Sequence, residues 1–235
     1  MDTLNLVQML GDKLMIELPP VGLAFVSEQP EDMAATHREP QSFCTLWRWA
    51  EERVFYAAGE QHLECGLGGL VSGFLTPEGR EDELASLLDE MCEGGEGTRE
   101  EIAETTKFQH GAAGAIYGPL WMMPVEPDMA LMWATLPQMG VLQEIVGTIM
   151  WRNNPQGAVF PRPACAVLPI ASINDKPALS LGCIGMREYT NVPPHIYLIA
   201  LPGSHLESLE QKMQERDDIP QRLEFYQKRM AGGGG

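Results

Sequence analysis

Pro19-Pro20-Val21-Gly22-Leu23-Ala24-Phe25-Val26 places an unbroken apolar run directly after two prolines. A short apolar run bounded by turn-forming residues is typical of a buried β-strand. A second run of this kind, Met129–Ala134, follows Pro127 in the second half of the chain. The two runs predict one buried strand in each half, and the remaining segments are interpreted outward from them.

The chain around these strands alternates between segments of helical and of extended character. Apolar side chains recur at helical spacing over residues 3–14, and Ser42 is placed to cap a helix from Phe43 to about Tyr56. Further predicted strands are Ala115–Met123, Ala178–Leu181 and Ile196–Leu201, and further predicted helices are Glu81–Met91, Thr98–Lys107 and Gln138–Arg152. This alternation predicts an α/β or α+β fold.

The length of 235 residues suits a single compact domain. We predict that it spans residues 1–231 and that residues 232–235, all glycine, form a flexible tail. Within the domain, two similar halves are predicted as pseudo-repeats at about residues 15–75 and 125–200. The acidic stretch 78–108 is predicted to be a helical insertion between them.

The charge of the chain excludes two classes of partner. The formal net charge is -17, from 16 Lys and Arg against 33 Asp and Glu. Such a surface repels nucleic-acid phosphates and anionic lipid headgroups, so neither nucleic acid nor a membrane is expected as a primary partner. The sequence carries no export signal or apolar window of about 18 residues. The expected location is therefore cytoplasmic, where thiols stay reduced.

Four of the five cysteines lie in repeated sequence contexts. In the first half, Cys44 is followed by Leu63-Glu64-Cys65 and a glycine-rich stretch, and in the second half Cys165 is followed by Leu181-Gly182-Cys183 and another glycine. If the halves pack about a pseudo-two-fold axis, the paired cysteines converge on that axis. The fifth cysteine, Cys92, lies in the acidic stretch, and we interpret it as incidental.

The spacing of these cysteines indicates dispersed ligands, because the chain has neither a Cys-x-x-Cys zinc pattern nor a ferredoxin-like run. A fold can nevertheless gather dispersed cysteines around an iron–sulfur cluster, which needs thiolates, backbone N–H donors and shielding from water. We therefore predict an iron–sulfur cluster or other metal centre bound by Cys44, Cys65, Cys165 and Cys183. The other residues predicted to bind the cofactor are Gly66, Gly68, Gly185 and Arg187.

Two other functions are also consistent with the residues. In a thiol-based enzyme or carrier, Cys183 beside Arg187 would be the reactive thiolate and a second cysteine would resolve it. In a non-catalytic haem or tetrapyrrole binding protein, the Met- and Trp-rich stretch 121–139 would line the pocket. His62, three residues before Cys65, is a candidate ligand or acid–base group. A redox protein would have a redox partner protein, and a homodimer is the default assembly.

Five stretches of the sequence are distinctive when taken together. They are Leu18–Phe25, Phe43-Cys44, Cys65–Gly68, Ala164–Ala166 and Leu181–Thr190. Through them the chain resembles the domain of unknown function 169 family of archaea and bacteria over roughly residues 5–215. The most specific match is a cysteine followed by small residues and an arginine, here Cys183, Gly185 and Arg187. The resemblance implies a cytoplasmic prokaryotic protein, often of anaerobes, in which the four cysteines are a family feature. It implies no established activity.

Overall fold

Strands β1 (Val21–Val26) and β4 (Met129–Ala134) lie side by side at the centre of a six-stranded antiparallel sheet. The computed structural model describes residues 3–33, 35, 39–92, 98–147 and 163–231. The other strands are β2 (Phe55–Ala58), β3 (Gly114–Pro119), β5 (Ala178–Ser180) and β6 (Tyr197–Pro202). The strand order is β2-β3-β1-β4-β6-β5. With helices on the sheet, the predicted fold class is confirmed, and the antiparallel pairing makes it α+β.

Helices cover both faces of this sheet. The described residues form α1 (Thr3–Leu14), α2 (Phe43–Trp49), α3 (Gly66–Ser72), α4 (Glu81–Cys92), α5 (Arg99–Glu104), α6 (Leu136–Val146), α7 (Val167–Asn174), α8 (Ile184–Thr190), α9 (Leu206–Gln214) and α10 (Ile219–Ala231). One face carries α2, α3, α7 and α8, and the other carries α1, α6, α9 and α10. Among the described helices, none is both long and apolar enough to cross a membrane.

The position of β4 between two helix layers explains why its sequence is apolar throughout. Met129, Leu131 and Trp133 belong to the core under α2 and α7, whereas Ala130 and Met132 belong to the core under α1 and α6. Successive side chains of a strand point to opposite faces, so a strand covered on both sides needs apolar residues at every position. The sheet therefore separates two hydrophobic cores, and the elements that begin at Cys44, Cys65, Cys165 and Cys183 lie on one side of it.

The two halves of the sheet have the same strand order and the same register. Outward from the centre, the first half runs β1-β3-β2 and the second runs β4-β6-β5. Val21 of β1 pairs with Pro119 of β3, and Met129 of β4 pairs with Pro202 of β6 in the matching position. A two-fold rotation about an axis perpendicular to the sheet, between β1 and β4, relates the two arrangements. Such a rotation keeps each helix layer on its own face.

A matched backbone hydrogen bond closes each half. The N–H of Leu120 donates to the carbonyl of Pro20 at 2.8 Å, and the N–H of Gly203 donates to the carbonyl of Asp128 at 2.8 Å. These residues occupy equivalent places, one residue beyond β3 and β6 and one residue before β1 and β4. The halves are thus similar down to single hydrogen bonds. Their origin as pseudo-repeats of one sequence stays a prediction.

Two segments differ from the sequence-based expectation. The helix predicted from Phe43 to about Tyr56 ends at Trp49, and β2 takes the following residues. Phe55 stacks on Tyr117 of β3 with ring centroids 5.3 Å apart, a cross-strand contact that a helix would lose. The helix predicted at Gln138–Arg152 is described as far as Val146, and residues 148–152 lie outside the described residues, as does the tail 232–235.

Candidate functional site

Four cysteines, two from each half, line one small cavity between the halves: Cys44, Cys65, Cys165 and Cys183. The other lining residues are Phe43, Leu67, Gly68, Pro163, Gly185, Met186 and Tyr189. The cavity has a volume of about 20 Å³, close to the space that one ordered water needs. The fold therefore brings together all four of the cysteines in the repeated contexts.

Cys44 and Cys165 form the inner pair. Cys44 is the second residue of α2, whose N-cap Ser42 accepts a hydrogen bond from the N–H of Thr45 at 3.0 Å. Cys165 holds the equivalent place in a single 3-10 turn, Ala164–Ala166, which leads into α7. The two residues are only 7% and 4% exposed. Their thiols are therefore held by helix starts on the buried face of the sheet.

Cys65 and Cys183 form the outer pair, and both are partly exposed. They are the N-cap residues of α3 and α8, two helices of equal length. The sulfur of Cys183 accepts a hydrogen bond from the N–H of Met186 at 3.3 Å. Gly182 precedes it with a φ of 92°, a left-handed conformation that glycine adopts without strain. This turn directs the Cys183 side chain back toward the cavity.

The protonation of the thiols depends on this common environment. Burial raises the pKa of Cys44 and Cys165 well above the ordinary thiol value, and it also raises the pKa of Cys65. Negative charge on any one of the four cysteines disfavours negative charge on the others, across all six pairs. Cys44, Cys65 and Cys165 therefore keep their protons at neutral pH unless a cation among them compensates the charge of the thiolates.

The donor set fits a thiolate-bound metal centre. Four soft sulfur donors, an apolar lining and a backbone N–H on one sulfur are the features such centres use. Among the described His, Cys, Asp and Glu residues, however, no three are grouped closely enough to hold a single ion. A cluster, in which each thiolate binds its own metal atom, tolerates a wider spacing. Such a cluster is also larger than the cavity of about 20 Å³.

Comparison with protein families identifies the chain. Residues 9–212 match the model of domain of unknown function 169, DUF169, described as uncharacterised ArCR. The chain belongs to the DUF169 family. The resemblance predicted from the cysteine contexts is confirmed, and all four cavity cysteines fall within the matched residues. No curated protein and no solved structure matches this DUF169 protein.

The residues predicted to bind a cofactor divide into two groups in this DUF169 protein. Gly68 and Gly185 line the cavity, whereas Gly66 and Arg187 are not among its lining residues. A Cβ at Gly66 would lie 3.0 Å from the Cδ2 atom of Leu84, so this glycine lets α4 pack closely on α3. Contact of any of the four with a cofactor stays a prediction.

Arg187 holds together the backbone on both sides of α8. Its guanidinium donates hydrogen bonds to the carbonyl of Leu181 at 2.8 Å, to that of Pro193 at 2.7 Å and to that of Ile196 at 2.7 Å. Leu181 lies two residues before Cys183, and the other two carbonyls lie in the loop after the helix. The donors of Arg187 thus fix the position of Cys183 through the backbone.

His62 is buried away from the cysteine cavity. Its Nδ1 lies 2.9 Å from the carbonyl of Ala58 and its Nε2 lies 2.6 Å from the hydroxyl of Tyr117. Because a carbonyl only accepts, Nδ1 carries the proton and Nε2 accepts from the tyrosine. Burial lowers the pKa of His62 to about 4. The ring of Phe43, 5.9 Å from that of His62, belongs to the cavity lining, whereas His62 does not.

Most of the apolar residues that line the cavity were not predicted from the sequence. The sequence also predicted a pocket in the Met- and Trp-rich stretch 121–139. Tyr189 and Met186 lie in α8, which was not predicted because Gly182-Cys183-Ile184-Gly185 has the composition of a turn. In the Met- and Trp-rich stretch, Trp133 lies in the core on one face of the sheet and Met139 in the core on the other. These side chains therefore do not line a common pocket.

Proposed function

We propose that this protein is a redox protein that holds an iron–sulfur cluster, or another metal centre, through Cys44, Cys65, Cys165 and Cys183. The observation that carries the proposal is the convergence of these four cysteines, two from each half, on one cavity. Four sequence-distant thiols gathered at one place are the ligand set that such centres require.

The chain's own groups would perform three tasks. The buried Cys44 and Cys165 would anchor the centre, and the partly exposed Cys65 and Cys183 would complete its coordination. The N–H of Met186 would donate to the Cys183 sulfur, which stabilises negative charge there. The apolar lining would exclude water. When bound, an iron–sulfur cluster supplies one-electron transfer at a potential that this environment sets.

The proposed electron transfer needs a redox partner protein. With a net charge of -17, the chain would attract a basic partner, and this attraction would weaken as salt increases. The proposal places the reaction in the cytoplasm of a prokaryote, where the thiols remain reduced before the metal binds. A homodimer is the assembly we propose by default.

The test is anaerobic purification followed by absorption spectroscopy and assay of iron and acid-labile sulfide. We expect a broad absorption band near ~400 nm together with iron and sulfide, as thiolate-bound clusters give. Cys44→Ser and Cys183→Ser should each lose most of the bound iron, whereas Cys92→Ser, the matched control outside the repeated contexts, should retain it. Wild-type protein that stays free of metal after anaerobic reconstitution would refute the proposal, and a sharp haem band in its place would support the tetrapyrrole alternative.

A second candidate is a thiol enzyme or carrier that uses Cys183. The supporting observation is the partial exposure of Cys183 together with the N–H of Met186 on its sulfur, since such a donor stabilises a thiolate. This function predicts that Cys183 is alkylated much faster than the buried Cys44 in metal-free protein at neutral pH. Equal and slow alkylation of the two cysteines would exclude it.

A further inference from the structure

Tyr189 occupies a distinct place in the cavity lining. Among the described lining residues, it carries the only polar side chain apart from the four thiols, since the others are apolar or glycine. It lies in α8, the helix that Cys183 caps, and its side chain is partly buried against the core on this face of the sheet. Tyr189 and Cys183 are thus held on one rigid element.

The hydroxyl of Tyr189 is not used by the fold itself. Within the described part of the chain it makes no hydrogen bond. By contrast, the hydroxyl of Tyr117 donates to His62 and that of Tyr226 donates to Glu144. A phenol is a hydrogen-bond donor, and Tyr189 lines the same cavity as the four sulfurs, which become acceptors once they are deprotonated.

We propose that Tyr189 donates a hydrogen bond from its hydroxyl to a sulfur of the bound centre and so sets the redox potential of that centre. The inference rests on the proposed function and adds to it a residue that contacts the bound centre. Hydrogen bonds to cluster sulfurs stabilise the reduced, more negative state, and the potential rises with their number. Tyr189 lies six residues after Cys183, and the residue six positions after Cys65, in α3, is Val71. Only the second half therefore supplies a hydroxyl at this position.

The test compares Tyr189→Phe with wild type and with Tyr226→Phe, both as full chains loaded anaerobically with iron and sulfide. Tyr226 is the matched control, because its hydroxyl donates to Glu144 at 2.8 Å on the opposite face of the sheet. We expect Tyr189→Phe to bind the same amount of iron at a more negative midpoint potential. The Tyr226→Phe variant should keep the wild-type potential.

A second measurement uses the metal-free protein. Tyr189→Ala removes the ring from the lining, so a thiol reagent should modify Cys65 and Cys183 several-fold faster than in wild type, whereas Tyr189→Phe should retain the wild-type rate. An unchanged potential in loaded Tyr189→Phe would overturn the role of the hydroxyl and leave the proposed function intact. Failure of the wild type to take up iron would instead overturn the proposed function, while the alkylation rates would still show whether Tyr189 covers the site.

Discussion

At the scale of single residues, the buried contact between His62 and Tyr117 links the stability of the fold to pH. The folded protein keeps His62 neutral, with a pKa lowered from 6.5 to about 4 by burial. Between these two values the unfolded chain binds a proton that the folded chain does not, so folding stability rises with pH through this window. The same contact leaves the hydroxyl of Tyr117 paired inside the core.

We predict that the free energy of unfolding falls as the pH is lowered from about 6.5 to about 4, by roughly 3 kcal/mol from His62 alone. Denaturant titrations at several pH values would measure this loss. In His62→Gln this part of the pH dependence should disappear, because the group that titrates is gone. His195→Gln, at an exposed loop position, should keep the wild-type slope. Equal slopes in wild type and His62→Gln would contradict the prediction.

At the scale of elements, the site depends on the close approach of α3 and α2. A Cβ at Gly68 would lie 3.1 Å from the Cβ of Phe43 and 3.4 Å from its backbone nitrogen. The closer of these atoms, the Cβ of Phe43, is bonded directly to the backbone and cannot rotate away, so a methyl group here pushes apart the helices that carry Cys65 and Cys44 by a few tenths of an ångström. At Gly66 the nearest atom is instead the flexible end of the Leu84 side chain, at 3.0 Å, which can move at lower cost.

We predict that Gly68→Ala destabilises the fold by about 1–3 kcal/mol, as overpacking does, and weakens binding of the metal centre. Gly66→Ala should cost less. Gly11→Ala is the matched control, because no atom lies within 4 Å of a Cβ placed there. Since Gly11 lies inside α1, this change should stabilise the fold by roughly 0.5–1 kcal/mol. Thermal denaturation would rank the three variants, and a Gly68→Ala protein as stable as wild type would contradict the account.

The elements also show which parts of the structure the sequence predicts. Strands β1 and β4 were predicted with their observed bounds, because strands covered on both faces carry unbroken apolar runs. Helix α8 and strand β2 were missed, since a glycine-rich helix start resembles a turn and β2 follows an apparently helical stripe. The pairing of Cys65 with Cys183 was recognisable from their shared Leu-x-Cys context. The apolar residues between the cysteines were not, because their place depends on contacts between distant segments.

At the scale of the whole molecule, the site exists only where the two halves meet. Each half supplies one buried and one partly exposed cysteine, and the matching strand registers place the two pairs around a common axis. The strand order could not be predicted from local patterns, because pairing between β1 and β4 joins segments far apart in the chain. Burial of several thiols at one junction gives the molecule a stability that depends on their protonation.

We predict that the metal-free protein loses stability as the pH rises above about 9. The pKa values of Cys44, Cys65 and Cys165 are raised in the folded state, so above the unfolded thiol pKa the folded chain retains protons that the unfolded chain has lost. Each such thiol lowers the free energy of unfolding by about 1.4 kcal/mol per pH unit until its folded pKa is reached.

The measurement is denaturant unfolding of metal-free protein at pH 8 to about 10.5, with reductant present. Cys44→Ala should reduce the slope by about one proton, although it also leaves a small cavity that lowers stability at every pH. Cys92→Ser, outside the site, should leave the slope unchanged. Protein loaded with the metal centre should show a much weaker alkaline loss, because its thiolates are already deprotonated and compensated by the metal. A slope that is the same with and without the metal centre would show that these thiols do not share one binding site.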